Sequence, residues 1–178
     1  MIAYLLLLVA VFTRVLPHAE WLNFTAVGGA LLYFGARRPL REMIVPVAAL
    51  MATDYWLTIH AYHYAFAWAA YGVTWAWYAG AIVLGYGLLR SRTTVRRVGA
   101  GVVLAPTSFF LLSNFAVWPG SDMYPHTLSG LLACFAAGLP FYRNDIASTA
   151  LLCAAAFGVP MLLRRMHMLR AGEALPGK

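Results

Sequence analysis

Seven apolar runs, divided by short connections that carry most of the arginines, constrain this chain more than any other feature. They cover residues 1–17, 24–36, 43–61, 68–89, 98–118, 127–141 and 146–163. A helix needs about 20 residues to cross a bilayer, about 17 at the least, so 24–36 and 127–141 are short. The runs are continuous and rich in Leu, Ala and Val, which is the pattern of helices and not of alternating barrel strands. Hydrophobic residues make up 62% of the chain and charged residues 11%, against about 45–50% and about 25% in a soluble domain. The chain is therefore read as an integral membrane protein, with one transmembrane helical domain over 1–170 and a short cytoplasmic tail over 171–178. Its first run lacks a basic start and a small-residue cleavage site, so it is read as a retained helix and not as a signal peptide.

Positive charge decides between six and seven crossings. With the amino terminus cytoplasmic and 127–141 not crossing, three connections fall inside: Arg37, Arg38 and Arg41; Arg90, Arg92, Arg96 and Arg97; and Arg164, Arg165, Arg170 and Lys178. These are eleven of the 13 basic residues, and cytoplasmic loops carry such an excess. A full crossing by 127–141 would send the last group outside. The expected fold is therefore all-α, a six-transmembrane-helix bundle with a re-entrant or capping helical segment over about 119–145 on the outer side. Irregular backbone at membrane depth is tolerated only against protein or a water-filled cavity, so this reading implies a cavity. It also implies a bacterial cytoplasmic membrane with both termini inside. The net charge of +7 orients helices and forms no face for nucleic acid.

Charges inside spans cost at least about 2.5–3.5 kcal/mol at mid-depth, so Arg14 in the first helix and Asp54 in the third are expected to pair or share a polar network. Asn23 is suited to cap the second helix, which would aim a positive helix end at the cavity. Residues 55–78 hold four of the six tryptophans. They read as an interfacial aromatic belt, some of whose rings line a pocket. His60 and His63 share a helix face but lack a third metal ligand. Cys134 and Cys153 fall in apolar runs and read as small buried hydrophobes.

Polar chemistry collects in Ser113–Asp145. Asn114 and Trp118, four apart, share a helix face. Pro119-Gly120-Ser121-Asp122 is a turn signal, and Ser121 or Asp122 can cap a helix starting near Pro125. Small residues at Gly130, Ala133, Cys134, Ala137 and Gly138 permit close helix approach. Pro140 is expected to end that helix and Asn144-Asp145 to cap the last one.

At these positions the chain resembles an uncharacterised bacterial family of small multi-pass proteins linked to transport. The resemblance rests on Arg14 with Leu16-Pro17-His18, Asn23 through Gly28, Asp54, Ser113 through Trp118, Met123 through Thr127 and Pro140 through Asn144. More distantly it is similar to the substrate-binding S components of energy-coupling-factor vitamin transporters. Those have six helices, cytoplasmic termini and an outward-facing pocket capped by loops. Asn114, Tyr124-Pro125 and Pro140-Phe141 with Asn144 are the loosely matching positions. The resemblance implies a transmembrane coupling protein with ATPase subunits as partner.

The function expected is a non-enzymatic, substrate-binding membrane subunit of a transporter. It would capture a small vitamin-like or heterocyclic compound, without cofactor or metal. Arg14, Asn23, Asp54, Asn114, Trp118, Tyr124, His126 and Asn144 are the candidate ligand residues. Two other readings stand beside it. One is a structural or assembly subunit whose polar groups only fix packing. The other is an intramembrane metalloenzyme built on His60, His63, His126 and Asp54, for which no motif speaks.

Overall fold

Helices in lipid gain nothing from hydrophobic burial against one another, so they meet where small residues let backbones approach. The segment VGGALLYFGAR is built for this. The computed structural model describes residues 1–16, 24–120 and 122–173. The helices are α1 (Ile2–Val15), α2 (Val27–Arg37), α3 (Ile44–Trp56), α4 (Trp68–Leu89), α5 (Val95–Gly120), α6 (Leu128–Cys153) and α7 (Val159–Glu173). A 3-10 turn at Leu40–Met43 leads into α3. One π-helical turn, Leu57–Ala61, prolongs α3, and another, Ala154–Gly158, joins α6 to α7 without a break.

The core of the bundle is α2. Its 11 residues rise about 16 Å, half of a hydrocarbon core about 30 Å thick. Every side chain from Val27 to Ala36 is buried, because α1, α4, α5 and α6 surround it. A Cβ on Gly35 would strike the Ile82 carbonyl of α4, and one on Gly85 would strike the Leu32 carbonyl. A Cβ on Gly28 would come within 2.5 Å of Thr149 Oγ1 on α6. The amide of Ala26, just ahead of α2, donates to Thr13 Oγ1 of α1 at 3.1 Å. Asn23 lies outside the described residues; α2 begins four residues after it, with no side-chain cap on its first turn.

Among the described residues the chain passes between the two ends of the bundle six times, once in each of α1 to α6. One end holds Tyr4 of α1, which donates to Glu42. Arg90 Nη1 donates to the Arg38 carbonyl there at 3.0 Å, and Arg37 lies over the rings of Tyr33 and Phe157. This end therefore gathers the arginine-bearing connections 37–42 and 90–97 and the start of α7. The other end holds Arg14, the 62–67 connection and the 122–127 turn. Among the described residues, four helical stretches are long and apolar enough to span a membrane: Leu40–Ala61, Tyr71–Leu89, Val95–Gly120 and Leu128–Met168.

The expectation for 119–145 needs correction. The runs 127–141 and 146–163 are one rod and not a re-entrant segment followed by a last helix. Pro140 lies inside α6 and does not end it; proline is tolerated in membrane helices where neighbours compensate the freed backbone groups. Asn144-Asp145 is mid-helix and caps nothing. Asp122 does not cap α6, and Ser121 lies outside the described residues. Thr127 caps the helix, its side chain accepting from the Gly130 amide at 3.2 Å, because Pro125 and His126 hold the chain non-helical up to that point.

Candidate functional site

The inward face of α3 is Pro46, Leu50, Thr53 and Asp54, a stripe at helical spacing. That register carries Asp54 into the bundle, where it is 1% exposed. Arg14, near the end of α1, meets it: Arg14 Nη2 lies 2.5 Å from Asp54 Oδ1. Tyr78 of α4 completes the link. Its hydroxyl accepts from Arg14 Nη1 at 2.5 Å and donates to Asp54 Oδ2 at 3.0 Å. Trp75 Nε1 donates to the same oxygen at 3.0 Å. The Asp54 carboxylate is thus saturated by one cation and two neutral donors, which is what a buried charge requires. Just beyond it the π turn places Thr58, whose hydroxyl bonds the Asp54 carbonyl at 2.8 Å and the Tyr71 hydroxyl at 2.5 Å.

One cavity adjoins this network and a second adjoins that cavity. The smaller, about 160 Å³, is walled by Arg14, Thr25, Val27, Gly28, Asp54, Tyr71, Thr74, Trp77, Tyr78, Phe109 and Asp145. The larger, about 290 Å³, lies between α5 and α6 beneath the 122–127 turn. Phe109, Phe110, Phe141, Tyr124 and Tyr142 form its aromatic walls, and Ser113, Asn114 and Cys134 its polar points. Phe109 and Asp145 line both. Apolar walls with a few fixed polar groups are the composition of a small-molecule site.

Several candidate residues come together here. Arg14 and Asp54 stand on the smaller cavity, Asn114 and Tyr124 on the larger. Asn114 Nδ2 donates back to the Phe110 carbonyl at 2.8 Å, and Gly138 of α6 leaves room for its amide: a Cβ there would meet Asn114 Oδ1 at 2.6 Å. Trp118, His126 and Asn144 line neither cavity. Trp118 instead braces the turn above, Nε1 donating to the Pro125 carbonyl at 2.9 Å, with His126 exposed against its ring. The aromatic stretch divides in two. Phe66 stacks on Tyr71 at 4.5 Å and on Trp75 at 5.9 Å, while Tyr71, Trp77 and Tyr78 reach the smaller cavity. His60 and His63 are exposed. Among the described residues, no group of three or more His, Cys, Asp or Glu is placed to hold a metal. Cys134 and Cys153 are buried and free.

Asp145 is the residue the sequence reading missed as a site residue. It was available in the register of α6: Gly130, Cys134, Gly138, Asp145, Thr149 and Cys153 form one buried stripe. The helix start that was expected to aim a positive end at the cavity does face the smaller one, through Val27 and Gly28. The anion beside it is Asp145, whose Oδ1 would lie 3.6 Å from a Cβ on Gly28.

A family model described as "Family of unknown function (DUF6580)" matches residues 1–171. No curated protein and no solved structure matches the chain.

Proposed function

We propose a substrate-binding role in the membrane for this chain, which belongs to the DUF6580 family: it captures a small, largely apolar or heterocyclic compound in the paired cavities and serves as a transporter subunit. One observation carries the reading. Two adjoining cavities, sharing Phe109 and Asp145, combine aromatic walls with buried and half-buried polar groups on five helices. Ionisable groups within a membrane bundle are rare and costly, and they mark substrate and ion pathways. The larger cavity is overlain by a turn, with Met123 and Tyr124 on its wall, a natural lid. Asn114, Tyr124 and Phe141, three of the positions behind the S-component likeness, stand on that same wall; Asn144 does not. In this reading the six passages are six crossings, both termini are cytoplasmic and the cavities open outward. Translocation is driven by a separate coupling protein with its ATPase subunits.

The test is recovery of bound compounds. Protein purified from its membrane and denatured should release a heterocyclic or aromatic small molecule in near-stoichiometric amount, identified by mass spectrometry. Asn114→Ala should lower that occupancy about tenfold, equivalent to about 1.4 kcal/mol, without loss of the folded peak on size exclusion. A folded Asn114→Ala protein with undiminished occupancy removes Asn114 from the site. A wild-type protein that carries no compound, but retains a partner protein, favours the assembly-subunit reading. That second reading draws support from α7, whose described side chains other than Met161 are exposed, Arg164 and Arg165 among them.

A further inference from the structure

The two buried aspartates are treated very differently by their surroundings. Asp54 has an ion pair and bonds from Tyr78 and Trp75. Asp145 is 7% exposed, and among the described residues its carboxylate has one hydrogen bond, from Thr149 Oγ1 at 3.5 Å. That distance is at the limit of a useful bond. The ion pairs of the described residues are Arg14–Asp54 and Arg38–Glu42, so neither engages Asp145. A carboxylate removed from water is normally paired, since a lone buried charge is strongly destabilising. The first turn of α2 lies on one side of Asp145 and offsets part of its charge. The rest is directed into the cavities, which Asp145 lines on both sides. Arg14 is paired with Asp54, so among the described residues that line the cavities Asp145 is the carboxyl without a cationic partner.

We propose that the compound held here is a small organic ammonium, its cationic nitrogen set against Asp145 and its apolar body among Phe109, Phe110, Phe141 and Tyr142. Aromatic faces around a desolvated cation add to its binding. This rests on the reading of the cavities as a ligand site and narrows it to one charge class. The ligand's ammonium supplies the cation that Asp145 lacks among the described residues, so charge selects the ligand and the rings hold its body.

Three probes on one aromatic frame test it: 2-phenylethylammonium, 2-phenylethanol and 3-phenylpropanoate, each titrated against the protein in nanodiscs of zwitterionic lipid and read by thermal unfolding. The ammonium should bind the wild type about tenfold more tightly than the alcohol, the increment of a charge-assisted bond, and the carboxylate should be weakest. Asp145→Asn should erase the preference for the ammonium and leave the alcohol unchanged. Asp145→Glu should keep the preference. The wild-type ranking needs no variant, so it decides the matter even if Asp145→Asn does not fold. Equal binding of ammonium and alcohol, or an ammonium preference that survives Asp145→Asn, overturns the charge assignment but leaves the cavities as a ligand site. No shift with any probe at millimolar concentration overturns both.

Discussion

At the scale of single residues, the Arg14–Asp54–Tyr78 link is where the bundle spends its buried charge. Removing one partner strands the other, so Asp54→Asn and Arg14→Met should each destabilise the protein by about 3–5 kcal/mol. The double variant should recover a large part of that loss, because no unpaired charge remains. A double-mutant cycle on thermal unfolding measures this as a coupling energy; additive losses would show that the two side chains do not depend on each other. This pair was legible in the sequence because a charge in an apolar run must find a counter-charge. Asp145 was not legible by the same logic, although the logic applies to it. It follows Arg143 and Asn144 between two apolar runs, and three polar residues there read as a connection. Only the register of α6, which sends Arg143 outward and Asp145 inward, separates a helix face from a loop.

At the scale of elements, glycine fixes how deep α2 sits. Gly35→Ala should place a methyl carbon against the Ile82 carbonyl of α4, and backbone does not move aside as a flexible side chain does. Overpacking of this kind costs about 1–3 kcal/mol. Gly80→Ala, also in α4, has nothing within 4 Å of the added carbon. It should be neutral or slightly stabilising, since alanine favours helix over glycine by about 1 kcal/mol. Comparing the two melting temperatures separates helix crossing from helix propensity; equal values would mean that the α2–α4 contact is not close. Elements with continuous apolar sequence were read closely, and α4 occupies the expected 68–89. Elements defined by an interruption were not. Pro140 signals a helix end in water, whereas inside a bundle it is carried within the helix. Likewise α2 was read as a short span, yet its burial on all sides makes it the centre of the fold.

At the scale of the molecule, charge placement and helix packing agree. The connections 37–42 and 90–97 and the start of α7 share one end because Arg90 reaches the Arg38 carbonyl and Arg37 reaches Phe157. An excess of arginine at one end orients a membrane protein with that end in the cytoplasm. A reporter that is active only in the cytoplasm, fused after Arg170, should therefore be active. A single cysteine introduced at Met123, in a background lacking Cys134 and Cys153, should be labelled from outside by a membrane-impermeant thiol reagent. Six passages place these two sites on opposite faces, so the pair of measurements is more demanding than either alone. Both sites on the same face would require an additional turn or a missing crossing, and α6 is continuous across the interval. Neutralising Arg90, Arg92, Arg96 and Arg97 together should yield a mixed population in the reporter assay. The remaining inner charges should still outweigh the outer ones, so inversion should be partial. Complete inversion would show that this one connection alone sets the orientation, and with it the side on which the 122–127 turn opens the cavities.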